Sequence, residues 1–283
     1  MCDNKDQNHH ILKSEGYCLI KNFFSLEEVK NLRSLVEINK HKNQDVYISI
    51  IESELGKALL SSKYFDLLKI TLGKELVYYQ DSTLLIDNDK KIPGKFHIDA
   101  RDDDEDPVTT EYKVWRIGIY LQDHKNFSGG IKMISNSHKK LLLSSLKKIY
   151  YNLLKIFKYK KKYSIKSFIP SFKYINVASE AGDIIIWNGR THHCGRFKRL
   201  KFFKNLSLHP FFDRILPESF FIKEKEDRLV IFQNWCLKGH TSDKYIKYRL
   251  SETNSKDYWK TNEINFNKFP IEVFKNSSIK VYK

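Results

Sequence analysis

Apolar and polar positions change their period twice along the chain, and the changes divide it into three stretches. Gly16 to Phe23 reads as a short β-strand. Ser25-Leu-Glu-Glu28 then forms a capping box, in which the Ser25 and Glu28 side chains satisfy each other's orphan amides. Leu26, Val29, Leu32 and Val36 follow at helical spacing, and residues 52–73 predict one or two more helices through Leu55, Ala58, Leu59, Phe65, Leu67, Leu68 and Ile70. From Glu75 the period falls to two. Strands are predicted at Leu76–Ile86, Lys95–Asp99, Val114–Leu121, Ile131–Ile134, Asp183–Trp187 and Leu200–Leu208, with Ser128-Gly-Gly130 as the turn into the fourth. Between them lies a basic amphipathic helix, Lys139–Lys162, whose stripe of Leu142, Leu146, Ile149, Leu153 and Phe157 is expected to lie against the strands. After Pro210 the pattern is mixed and Lys-rich. The expected organisation is one domain over 1–283. It comprises an N-terminal strand and helices (1–74), a β core (75–210) with a helical insert at about 139–163, and a C-terminal extension (211–283). Many short strands with turns between them make the fold class mainly β, a sandwich or barrel with flanking α-helices.

Composition narrows the class. Of 283 residues, 41% are hydrophobic and 14% aromatic, enough to bury a substantial core and exclude wholesale disorder. Eleven Gly and six Pro exclude collagen-like and low-complexity chains. No apolar run approaches the roughly 18 residues that cross a bilayer, and Met1 to Lys13 has no apolar segment of the signal-peptide kind. The four Cys (Cys2, Cys18, Cys194, Cys236) form no C-x-x-C pair, which argues against a zinc knuckle or disulfide framework and for a reducing, cytoplasmic setting. The formal net charge of +16 suits a polyanion. Its carriers are mostly Lys, however, amid abundant Ile, Asn, Tyr and Phe, as an A+T-biased genome produces unaided. Bidentate reading of phosphates or bases prefers Arg. A nucleic acid is therefore the second partner reading, behind a small-molecule substrate. Peripheral membrane contact through 139–162 is the alternative use of the basic helix. Nothing in the sequence specifies an oligomeric state.

Candidate chemistry begins at His97-Ile98-Asp99. On an extended chain residues i and i+2 face one side, so an imidazole and a carboxylate are offered to one point. Two His and one carboxylate on one face of a metal ion leave the opposite positions open, the arrangement of non-haem Fe(II) sites. The third ligand must come from elsewhere, and Gly182 to Gly195 offers it: an apolar strand, a short turn, then adjacent His192 and His193. Two consecutive His on an extended chain cannot both point inward. In Leu200–Leu208 a single Lys204 stands among Leu200, Phe202, Leu206 and Leu208 on one face. An interior ammonium needs an anion or an escape to water, and a ligand carboxylate is the natural anion.

With these residues in place, the chain resembles the phytanoyl-CoA dioxygenase family of Fe(II)/2-oxoglutarate oxygenases over roughly residues 12–210. The likeness includes the Gly16–Phe23 strand with its capped helix, Pro93-Gly94 before His97-Ile-Asp99, and Trp115. It continues through Ser128-Gly-Gly-Ile-Lys-Met-Ile-Ser-Asn-Ser-His-Lys139 and the Gly182-Asp183 strand before the distal His. The resemblance implies a double-stranded β-helix (jelly-roll, cupin-like) core. It also implies Fe(II), 2-oxoglutarate and O₂ as cofactor and co-substrates, with His97, Asp99 and a distal His as iron ligands. The offset from Gly182-Asp183 selects His193, whereas the family's His-x-x-Gly spacing would select His192. Lys204 falls where the family usually carries an Arg for the distal carboxylate of 2-oxoglutarate, and lacks that residue's bidentate fork. Gln80 resembles a co-substrate hydrogen-bonding position, and Ser137-His138-Lys139 looks structural. Related halogenases have a small residue where Asp99 stands, so hydroxylation of a C–H bond in a small-molecule or lipid-like substrate is implied, with 2-oxoglutarate converted to succinate and CO₂. The acidic run Asp102–Asp106 reads as a solvated loop that would favour a cationic substrate. The alternatives are the same chemistry on a polyanion, and a non-catalytic jelly-roll binding module.

Overall fold

The computed structural model describes residues 3–42, 54–87, 95–100, 111–124, 130–143, 146–159, 164–195, 198–203, 208–222, 228–251, 277 and 279–281. The amino-terminal part comprises helix α1 (Asp3–Glu15), strand β1 (Tyr17–Ile20), and helices α2 (Leu26–Lys42), α3 (Glu54–Leu59) and α4 (Ser62–Leu72). Then come β2 (Leu76–Asp87), β3 (Val114–Tyr120), β4 (Ile131–Met133), β5 (Leu141–Leu143) and α5 (Leu146–Tyr159). The rest is β6 (Phe168–Pro170), β7 (Ile175–Val177), β8 (Ile184–Asn188), β9 (His193–Gly195), α6 (Phe212–Ile215), β10 (Arg228–Leu237), α7 (His240–Ser251) and β11 (Lys280–Val281). No helix among the described residues is long and apolar enough to cross a membrane.

The strands form a six-stranded sheet in the order β1-β8-β3-β10-β2-β11, a three-stranded sheet β7-β4-β9, and a two-stranded pair β5-β6. Alternation along β3 assigns the two faces of the large sheet. Trp115, Ile117 and Ile119, with Ile184, Ile186, Leu229, Ile231 and Trp235, join the helical residues Leu32, Leu55, Leu59, Tyr64, Phe65 and Leu68 in one apolar cluster. The other face gives Tyr120, Ile185, Trp187 and Val230, which meet Ile131, Met133 and Val177 of the small sheet. The layers are therefore helices, large sheet and small sheet, and the second interface is the interior where the ligand-bearing strands meet. Two facing, mainly antiparallel sheets satisfy the coarse expectation of a β-sandwich with helical flanks.

Local chemistry fixes the joints. Ser25 and Glu28 make the capping box: Ser25 N donates to Glu28 Oε2 at 2.6 Å and Glu28 N to Ser25 Oγ at 3.1 Å. Asp183, fully buried, accepts from Asn22 N at 2.8 Å, Lys21 Nζ at 2.7 Å and Glu180 N at 2.8 Å. It thereby locks the turn after β1, where Asn22 has φ 51°, onto the start of β8. Gly182 has φ 93°, and a Cβ there would lie 2.4 Å from the Phe24 carbonyl oxygen, so only glycine lets the two segments approach. On the face of the small sheet turned away from the large one, Lys132 of β4 is fully buried. It donates to the Leu208 carbonyl and pairs with Asp213 of α6 at 3.3 Å, fastening the segment after β9 across that sheet.

Three expectations are corrected. Over its described residues the strand predicted at Leu200–Leu208 does not form: Leu200 makes one isolated bridge to Phe221, residues 201–203 are irregular, and Phe202 is 81% exposed rather than inward. The core does not end at 210. Its missing strand is β10, which lies between β3 and β2 inside the region read as an extension. β10 is buried on nearly every residue, so its sequence shows two apolar runs, Leu229–Phe232 and Trp235–Leu237, around Gln233-Asn234 instead of alternation. Among the described residues the helix predicted at Lys139–Lys162 covers Leu146–Tyr159; the first predicted residues instead belong to a 3₁₀ turn at Ser137–Lys139 and the strand β5. Replacing Gly182 with Ala forces a left-handed backbone and a backbone clash together. We expect it to lower unfolding free energy by about 3 kcal/mol in urea titration, with the fold otherwise retained.

Candidate metal centre

The turn after β8 positions the distal histidines. Thr191 N donates to Asn188 O at 2.8 Å, Arg190 N to Asn188 Oδ1 at 3.0 Å, and Asn188 Nδ2 to Tyr112 O at 2.7 Å. Thr191 Oγ1 donates to Gly16 O at 2.7 Å, so the turn is held against β1 as well. The next two residues diverge. His193 is buried and begins β9, whereas His192 is half-buried and its backbone is held by Ser137 Oγ at 2.9 Å and Ile134 N at 2.9 Å. Ser137 thus steers the backbone, while its neighbour His138 approaches Lys13 O at 3.3 Å, away from the cluster.

His97 is brought to β9 by a two-hydrogen-bond bridge, His97 N to His193 O at 3.0 Å and His193 N to His97 O at 2.9 Å. Asp99 N and Ala100 N both donate to Gly189 O at 2.9 Å. The result is one group, His97, Asp99 and His193, whose ligand atoms all lie within 4.8 Å of one another. His193 Nε2 lies 3.5 Å from Asp99 Oδ2, and His97 Nε2 lies 3.9 Å from Oδ1. Each imidazole has its Nδ1 against a backbone carbonyl, Lys95 O at 2.8 Å for His97 and Thr191 O at 2.9 Å for His193. A carbonyl only accepts, so Nδ1 carries the proton and the Nε2 lone pair faces the shared space. This donor set, two imidazoles presenting Nε2 and a carboxylate, fits a divalent transition-metal ion.

Asp99 is held by residues the sequence did not single out. Trp187 Nε1 donates to its Oδ2 at 3.1 Å, and Arg116 Nε lies 3.9 Å from the same oxygen. Burial alone would raise the Asp99 pKa; His193, Arg116 and His97 charges and the Trp187 hydrogen bond outweigh it, and the net direction is down. Burial pushes His193 down to about 4, with Asp99 opposing. Cys194 is cross-strand from Lys132, on the other face of β9 from His193. Of the co-substrate candidates, Lys204 lies outside the described residues. Gln80 is on β2 at the register shift opposite Phe232 and Asn234, and its side chain is likewise outside them.

A cation does occupy the interior. Arg228, the first residue of β10 and buried, sets its guanidinium over the Tyr120 ring at 5.8 Å and beside Gly195, where a Cβ would sit 3.4 Å from Nη2. Gly195 follows His193 by two residues, so both face the interior. Beside them, burial first and then the Arg228 charge hold His124 well below its ordinary pKa, hence neutral. The one available signal was a lone Arg opening an apolar run in a Lys-rich chain. A separate cleft of about 460 Å³ lies on the helix-covered side, lined by Leu12, Trp115, His138 and Asn188 among others, and includes none of the three clustered residues.

No protein-family model matches the sequence, and no curated protein matches it as a relative. Solved structures match the fold. The non-haem alpha-ketoglutarate-dependent epimerase SnoN of nogalamycin biosynthesis is similar at 13% identity and TM-score 0.55, covering 82% of this chain and 80% of that one. HygX from Streptomyces hygroscopicus, solved with nickel and 2-oxoglutarate bound, is similar at 16% identity and TM-score 0.54, covering 83% and 88%. The alpha-ketoglutarate-dependent carbocyclase SnoK is similar at 14% identity and TM-score 0.52, covering 83% and 84%. At these identities the chain shares their fold, and the narrower family likeness rests on the motifs alone.

Two outcomes follow for the cluster. Trp187→Phe keeps the ring but deletes the donor to Asp99; Ni²⁺ or Co²⁺ affinity, read by calorimetry, should fall at least about 10-fold with the melting temperature little changed. In the metal-free protein the unfolded chain protonates its His at the ordinary 6.5, whereas folded His193 resists until about 4. Stability is therefore complete above pH 6.5 and declines as pH falls toward 4, by about 3 kcal/mol from this group. Urea midpoints should show that slope, and His193→Gln should flatten it.

Proposed function

We propose that the protein is an Fe(II)/2-oxoglutarate-dependent oxygenase that hydroxylates a C–H bond of a small-molecule or lipid-like substrate. The observation that carries this reading is the convergence of His97, Asp99 and His193 with both Nε2 lone pairs forward. It is supported by a fold shared with enzymes described as alpha-ketoglutarate-dependent.

In this reading His97, Asp99 and His193 would hold the iron. Iron held there would supply activation of O₂ coupled to oxidative decarboxylation of 2-oxoglutarate to succinate and CO₂, with the second oxygen atom inserted into a substrate C–H bond. The chain's own residues do the rest. Trp187 and Arg116 fix the Asp99 carboxylate and keep it ionised. Arg228 replaces Lys204 as the anchor of the distal carboxylate of 2-oxoglutarate, since its planar fork suits a carboxylate. Two residues of strand separate His193 from Gly195, about 7 Å, comparable to the length of a five-carbon diacid. A neutral His124 next to Arg228 avoids a second positive charge there. The apolar wall of Ile131, Met133, Val177, Ile185 and Val230 excludes water from the interior.

Anaerobic protein given Fe(II) and 2-oxoglutarate should develop a weak visible charge-transfer band. On admission of O₂ it should form succinate slowly even without substrate. His97→Ala and Asp99→Ala should each lower succinate formation at least about 100-fold. A band that persists in the double variant overturns the assignment. Arg228→Ala should raise the KM for 2-oxoglutarate about 100-fold with a smaller change in kcat, Arg228→Lys should partly restore it, and Lys204→Ala should leave it nearly unchanged.

A further inference from the structure

Helix α5 (Leu146–Tyr159) turns the wrong face to its own protein. Its inward positions are Ile149, Asn152 and Ile156, all half-buried, and Asn152 Nδ2 donates to Leu142 O at 3.3 Å on the neighbouring β5. The positions Tyr150, Leu153, Leu154 and Phe157 follow i, i+3, i+4, i+7 spacing and are between 44% and 76% exposed. The loops flanking β6 (Phe168–Pro170) add Ile165 at 90% and Phe172 at 75%. This is the reverse of the expected packing, in which Leu153 and Phe157 would lie on the strands. A contiguous apolar face of this kind on a folded chain marks a binding surface.

Charge identifies what covers it. From Lys139 to Ser179 the sequence contains eleven Lys and no Asp or Glu. Two copies meeting through this segment would oppose like charges, which disfavours self-association. The cations are all Lys, without the Arg forks that read nucleic-acid phosphates and bases. An amphipathic helix with an exposed apolar face and Lys-rich surroundings suits the boundary between anionic headgroups and acyl chains. We propose that α5 with Ile165 and Phe172 is a membrane-docking face that lays the protein on an anionic phospholipid surface, its apolar face in the headgroup boundary. This docking does not depend on the catalytic reading, since it requires neither metal nor co-substrate.

The test is flotation of the purified full-length protein with vesicles of phosphatidylcholine alone or with about 30 mol % phosphatidylserine. Binding is expected only with phosphatidylserine, and to weaken at least about 10-fold between about 0.1 and about 0.5 M salt. Leu153→Ser combined with Phe157→Ser should lower partitioning at least about 10-fold while the circular-dichroism melt is unchanged, because both side chains are already exposed. A Phe157→Trp variant, which keeps an apolar ring, should bind and show a blue-shifted emission in the presence of the anionic vesicles. Equal binding to both vesicle types, or full binding by the double Ser variant, overturns the proposal. So does an unshifted Phe157→Trp emission, a dimer that the double Ser variant dissolves, or duplex DNA or RNA binding through this face without vesicle binding.

Discussion

Two backbone hydrogen bonds between His97 and His193 hold the arrangement together. Among the described residues, His97 and Asp99 lie outside any extended strand, and this bridge and the shared Gly189 carbonyl seat them against β9 and the turn before it. The same bridge lines up both imidazoles, because each Nδ1 finds a carbonyl two residues before it on its own chain. A register slip of one residue would turn His193 outward and bring Cys194 in. The turn Asn188–Thr191, pinned to Tyr112 and Gly16, guards against that slip.

Around that bridge the molecule divides its polar residues by role. Asp183 and the Lys132–Asp213 pair are buried and hold joints between segments. Asp99, less enclosed than either, is oriented by Trp187 and Arg116 and keeps its carboxylate at the mouth of the cluster. The difference is which neighbours surround each carboxylate, since all three Asp side chains are otherwise alike.

The sequence made much of this legible, and the misses have physical causes. The capping box at Ser25, the strands β1, β2, β3, β4 and β8, and the pairing of H-x-D with a downstream His were readable because one buried face leaves a periodic trace. Which His points inward stayed open in the sequence, because the resemblance's offset after Gly182-Asp183 favoured His193 and its His-x-x-Gly spacing favoured His192. β10 left no alternation because both of its faces are covered, and Arg228 falls inside the mixed, Lys-rich stretch after Pro210. Trp187 and Arg116 escaped notice because parity on a strand cannot say which side is inside until a partner sheet is known. The outward face of α5 was invisible for a related reason: an apolar stripe records that a helix has two sides, not which one meets the protein.

Gly195 and Arg228 touch in space yet stand 33 positions apart, 228 minus 195, because a long excursion leaves the interior after β9 and returns at β10. The sheets, and not the intervening chain, set that proximity. Length can therefore be gained or lost in the excursion during evolution while the interior keeps its shape, and a pattern search that demands a constant gap between the second histidine and the basic partner will pass over chains of this kind.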